Sequence, residues 1–150
     1  MIYFDGHVHI QDLFSLDVFF MKSLENFSKQ ITQPQLNSTA VFFLLLTEGK
    51  THDYFSLLRK EVTKRTDILP QAWKVNKTME EESLLLCHEE WPDVRLFVVA
   101  GRQIVTAERL EVLALGTTTE FDDGTPIIRT IELVHQEKGL AVLPWGLANG

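Results

Sequence analysis

The sequence predicts an α/β fold, a sheet or barrel with one β-hairpin inserted, on three observations. Strand-like apolar stretches alternate with stretches whose apolar residues recur at helical spacing. One strand-like run, Ala40-Val41-Phe42-Phe43-Leu44-Leu45-Leu46, is apolar without alternation, the pattern of a strand covered on both faces as in a parallel sheet. In the middle, Ala72-Trp73-Lys74-Val75 and Ser83-Leu84-Leu85-Leu86-Cys87 flank a polar, acidic stretch and read as a hairpin.

Taken in order, Ile2 to Ile10 opens the chain as a strand. Leu16, Phe19, Phe20, Leu24, Phe27 and Ile31 then mark a helix that Ser15 can cap, and Pro34 ends the region. After the apolar run and a turn at Gly49, Asp53 caps a second helix with Phe55, Leu58 and Val62 as its inner stripe. Beyond the hairpin, Arg95 to Ala100 and Leu110 to Leu115 are strand-like, and Gly101 and Gly116 close them where the backbone must bend sharply. Thr125-Pro126 opens a third helix, a capping hydroxyl followed by a proline in the first turn. It turns Ile127, Ile128, Ile131 and Val134 inward and stops at Gly139, before a last strand from Leu140 to Leu143.

The 150 residues, 45% of them apolar, can bury one good core, and a single domain is the default. No basic flank followed by a long apolar stretch marks a signal peptide, and Ala40 to Leu46 is far too short to cross a bilayer, so no membrane partner is expected. Cys87 is the single cysteine, which rules out an internal disulfide and suits a reducing cytoplasm. A net charge of -7 with scattered Arg and Lys argues against nucleic acid as a partner.

The richest chemistry lies in Asp5-Gly6-His7-Val8-His9. Residues i and i+2 of a strand share a face, so His7 and His9 can hold one cation between them, with Asp5 on the same face and Gly6 permitting close approach. The plain alternative is a pair of hydrated strand-edge histidines. His52 and His88 lie in polar stretches that read as exposed. His135 falls in the last turn of a helix, where a cation suits the dipole, and Glu80-Glu81-Glu82 reads as a solvated loop.

These segments resemble the polymerase and histidinol phosphatase family, whose members open with a strand ending in His-X-His and fold as a distorted α/β barrel around a metal cluster. Where the family has Thr-Asp-His, this chain has Thr47-Glu48-Gly49. Gly101-Arg102-Gln103-Ile104 and Glu111-Val112-Leu113 are similar to a later motif, with Gln103 in place of a metal-bridging glutamate and Leu113 in place of a histidine. Gly139 to Gly146 is similar to a strand ending in Ala-His-Pro, with Pro144 at the histidine's place. The resemblance implies a partial or distorted TIM-like barrel with a β-hairpin insertion. A complete barrel has roughly 250 residues, so this chain is expected to be its N-terminal part or a shortened relative.

The resemblance further implies a metal-dependent hydrolase acting on a small phosphate ester, with a single divalent ion (zinc, manganese or iron) at His7 and His9. The family's glutamate and three of its histidines are replaced, by Gln103, Gly49, Leu113 and Pro144. Glu48 is then a ligand or general base and Asp5 a ligand or an orienter of one. Arg102 either binds an anionic group or is a surface arginine, Gln103 contacts substrate or hydrogen-bonds a loop, and Trp145 either walls the substrate site or packs against the strand end. Amidohydrolases, whose barrels also open with Asp-X-His-X-His, give an alternative chemistry. A degenerate barrel serving as a binding or regulatory module is the alternative without catalysis.

Overall fold

The computed structural model describes residues 2–31 and 39–144. In the first part, β1 (Ile2–Val8), α1 (Leu16–Lys29), β2 (Ala40–Leu46), α2 (Tyr54–Thr63), β3 (Trp73–Lys77), β4 (Ser83–His88) and β5 (Val94–Val99) form a five-stranded sheet in the order β1-β2-β5-β4-β3. The strands β1, β2 and β5 run parallel, while β4 lies antiparallel to both β3 and β5. The second part has β6 (Gly101–Val105), β7 (Glu111–Leu115), α3 (Ile127–Gln136) and β8 (Leu140–Val142), an antiparallel sheet in the order β6-β7-β8.

Eight strands and three short helices in two sheets replace the expected TIM-like α/β barrel, and no closed barrel forms among the described residues. The cause lies in the connections. A parallel barrel needs a crossover at every step, but β3–β4 and β6–β7 are direct hairpins whose strands turn back on themselves. The central hairpin forms where the sequence places it. Pro34 lies outside the described residues.

One face of the larger sheet carries the core. Ser15 caps α1 by accepting from the Val18 amide at 3.3 Å, and α1 buries Leu16, Phe20 and Leu24. Phe27 stacks on Phe42 with centroids 4.7 Å apart, and Asp17 accepts from Trp73 Nε1 at 2.7 Å, tying α1 to β3. Asp53 caps α2 from the Ser56 amide at 3.2 Å, and Phe55 and Leu58 pack inward. His88, read as exposed, is buried edge-on to Trp73, its Nδ1 accepting from the Glu90 amide at 3.2 Å.

The opposite face differs from expectation. Burial alternates along β2 between buried and half-buried residues, so one face of the all-apolar run is packed more deeply than the other. Phe43 stacks on Phe97 at 4.8 Å, and neither belongs to the packed core. Beside them Ile2 and Phe4 are 67% and 71% exposed.

The smaller sheet packs Ile104 and Ala114 against Val134 of α3. The expected Thr125 cap is replaced: the Thr125 hydroxyl donates to Asp122 O, and the Ile127 amide donates to the Glu108 carboxylate at 3.0 Å from the β6–β7 turn. A carboxylate serves this place better because it also meets the positive end of the helix. Ile128, expected inside, is exposed, and Thr130 takes the buried position.

The two sheets join where β2 ends. The Glu48 amide donates to Gly101 O at 3.1 Å and the Gln103 amide donates to Glu48 O at 3.0 Å, a short parallel bridge. The glycine is required by close approach. A Cβ there would fall on Leu46 O and lie 2.9 Å from Ala114 O, both backbone atoms that cannot step aside alone. Gly101→Ala is therefore expected to lower the unfolding free energy by at least about 2 kcal/mol. Urea denaturation checks this, and an unchanged midpoint would refute the close-approach account.

Candidate functional site

The strand β1 is not regular. Asp5 pairs with Leu44 and Val8 with Leu46, so β1 advances three residues while β2 advances two. That extra residue shifts the alternation. Val8 and Ile10 stay buried on the helix-covered face, which Asp5 shares with Leu44, while His7 and His9 pass to the other side. Asp5 is thus not on the histidines' face, contrary to the period-2 reading, and it meets His7 through the backbone, accepting from its amide at 3.2 Å.

His7 and His9 themselves converge. Their Nε2 atoms are 2.9 Å apart and the ring planes are inclined at 58°. Gln103, delivered by β6, places Oε1 3.2 Å from His7 Nε2, and its Nε2 donates to Glu111 Oε1 at 3.2 Å. An ionised carboxylate only accepts, so Glu111 fixes the amide with its nitrogen outward and its oxygen toward the imidazoles. Thr47 donates its hydroxyl to Val8 O at 3.2 Å and lies 3.5 Å from His9 Nε2.

Burial, and then the neighbouring His7, hold the His9 imidazole below its ordinary range, against the opposing pull of Glu111. A neutral ring is the form that offers a lone pair to a cation. Among the described residues, no group of three or more His, Cys, Asp or Glu side chains gathers into a metal-holding set. The donors here are two imidazole nitrogens, one amide oxygen and one hydroxyl.

The remaining expected site residues are engaged elsewhere. Glu48 is buried and its carboxylate caps α2, accepting from the Tyr54 amide at 2.6 Å and the Phe55 amide at 3.3 Å. Arg102 is also buried. It donates to His52 O at 3.1 Å and lies 3.5 Å from Asp53 Oδ1, so its guanidinium braces the entry to α2. Trp145 lies outside the described residues.

A cleft of about 480 Å³ runs along the flank of β1, bordered by Asp5, His7, Val8 and His9 and, across from them, by Phe14, Val18, Phe19 and Lys22. The loop that carries Phe14 is anchored by Asp12, which accepts from the Tyr54 hydroxyl and lies 3.1 Å from His52 Nε2. The Tyr54 bond, then His52, hold the Asp12 carboxyl below its usual range, and the same bond pushes the Tyr54 phenol up to about 12.

Sequence reading missed Glu111 and Thr47 as members of the site. Glu111 carries no signal of its own, but it stands one turn beyond Gln103 in a hairpin whose register brings the two together. No protein-family model, curated protein or solved structure matches the chain.

Burial raises the Glu48 carboxyl above its ordinary value near 4.5, against the two amides and Arg102, which lower it. A carboxyl raised in the folded state binds protons more readily there than in the unfolded chain. Its contribution to stability is therefore fullest below about pH 4.5 and is lost as pH rises through the folded value. Relative to Glu48→Gln, the wild type is expected to lose ground as pH rises above about 4.5. Unfolding free energies at several pH values check this, and a difference that is flat or of opposite slope would reject it.

Proposed function

We propose that this protein is a metal-dependent hydrolase acting on phosphate esters, with one divalent ion, zinc, manganese or iron, held by His7 and His9. The observation that carries the reading is the 2.9 Å between the two Nε2 atoms. Imidazole nitrogens bound about 2.0–2.1 Å from one ion in adjacent positions come to about 2.9–3.4 Å from each other. The same gap could be closed by a proton on His7 Nε2, shared with Gln103 Oε1. The additional oxygens of Gln103 and Thr47 make the pocket better suited to a cation than to one hydrogen bond.

When bound, the ion would lower the pKa of a water and polarise the phosphoryl oxygen. The chain's own residues supply the rest. His7 and His9 would hold the ion, with the Gln103 amide oxygen, kept in orientation by Glu111, as the third donor. Asp5 borders the cleft and accepts from the His7 amide, which orients the strand that carries the two ligands.

Amide hydrolysis is the second reading, and one observation favours it. Arg102 is committed to Asp53 and His52, and Lys22, the lysine that borders the cleft, is paired with Glu25 at 2.7 Å. A phosphate dianion would find little uncommitted positive charge there, whereas a neutral amide needs none.

Elemental analysis of the purified protein is expected to show one divalent ion per chain. His7→Ala and His9→Ala should each weaken binding by about 100-fold or more, and Glu111→Ala by about 10–100-fold, the range for a residue that orients a ligand. Metal content unchanged in both histidine variants would end the proposal. Metal binding with turnover of amides but not of phosphate esters would select the second reading, and binding with no turnover at all would make the protein a non-catalytic metal-binding module.

A further inference from the structure

Apolar side chains exposed beside a polar site call for a reason, because water contact at such a place is a standing cost that a ligand can relieve. The cleft along β1 has this character. Phe14 is 59% and Val18 44% exposed, and both face a cleft that His7, His9 and Asp5 border from the opposite side. Its volume of about 480 Å³ falls within the ~300–1,000 Å³ of small-molecule sites.

The apolar wall is also held in place. The Phe14 amide donates to Gln11 O at 3.3 Å, closing a turn, and Asp12 clamps that turn to the loop before α2 through Tyr54 and His52. Ser15 then caps α1, so Val18 stands on the first turn of a fixed helix. A wall anchored at both ends loses little freedom when a ligand binds, which turns apolar contact into affinity.

We infer that this cleft receives the organic part of the substrate, and that the substrate class is a phosphomonoester of an aromatic or bulky aliphatic alcohol rather than of a small polar one. The assignment rests on the phosphate-ester reading above for the group that reaches the histidines. It adds the selection of the leaving alcohol by Phe14, Val18 and Phe19. The polar residues at the cleft's far wall, Lys22, Ser23 and Asn26, leave room for one polar substituent on that alcohol.

Two non-hydrolysable probes separate the claims. With the protein saturated in manganese, calorimetry should show phenylphosphonate binding at least about tenfold tighter than methylphosphonate, as expected for burial of the larger apolar group. In Phe14→Ser and Val18→Ser, both exposed positions whose thermal unfolding should match the wild type, that ratio should fall below about threefold. A wild-type ratio near one, a ratio that neither substitution moves, or no binding of either probe would overturn the assignment of the cleft. A Phe14-dependent preference that persists in His7→Ala, or in protein that takes up no metal, would leave the cleft assigned and overturn the metal reading alone.

Discussion

The architecture turns on the backbone of one buried residue at the end of β2. Glu48 receives Gln103 through its carbonyl and reaches Gly101 through its amide, while its carboxylate closes the first turn of α2. Two sheets and a helix therefore meet at a single residue. The meeting demands a chain with no side chain at position 101, since the carbonyls of Leu46 and Ala114 fill that space. A charged group in such a place is costly unless its oxygens are satisfied, and the free amides of α2 and the nearby guanidinium of Arg102 provide that.

From this junction follows the geometry of the histidine pair. Because β6 is pinned to the end of β2, Gln103 emerges beside β1, and the irregular step in β1 turns His7 and His9 toward it. Each imidazole is met from a different element: Thr47 from the end of β2, Gln103 from β6, and through Gln103 the carboxylate of Glu111 on β7. Removing the pin would leave the pair in place on β1 but deprive it of its third donor.

Local elements were legible because their signals are local. Ser15 and Asp53 cap the helices they precede, and the hairpin of β3 and β4 brackets its acidic turn. What escaped depends on partners distant in sequence. A run such as Ala40 to Leu46 has the same composition whether its two faces are packed equally or unequally. An extra residue in β1 leaves no trace in residue types, yet it moves Asp5 away from the histidines' face. Glu48 and Arg102 read as chemistry because charged residues at strand ends often are. Here they satisfy each other's surroundings and the start of α2. Glu108 could not be foreseen as the cap of α3, because it lies 19 positions before the amide it serves.

The half-covered side of the larger sheet sets a colloidal condition on the molecule. Phe43 and Phe97 lie stacked on a surface that no described helix crosses, flanked by the exposed Ile2 and Phe4. What holds two such surfaces apart in solution is like charge, seven units of net negative on every copy. Acidification discharges the carboxylates that supply this repulsion while leaving the hydrocarbon unchanged. The balance between dispersed and clustered chains is thus governed by the protonation of side chains that make no contact with the sticky surface.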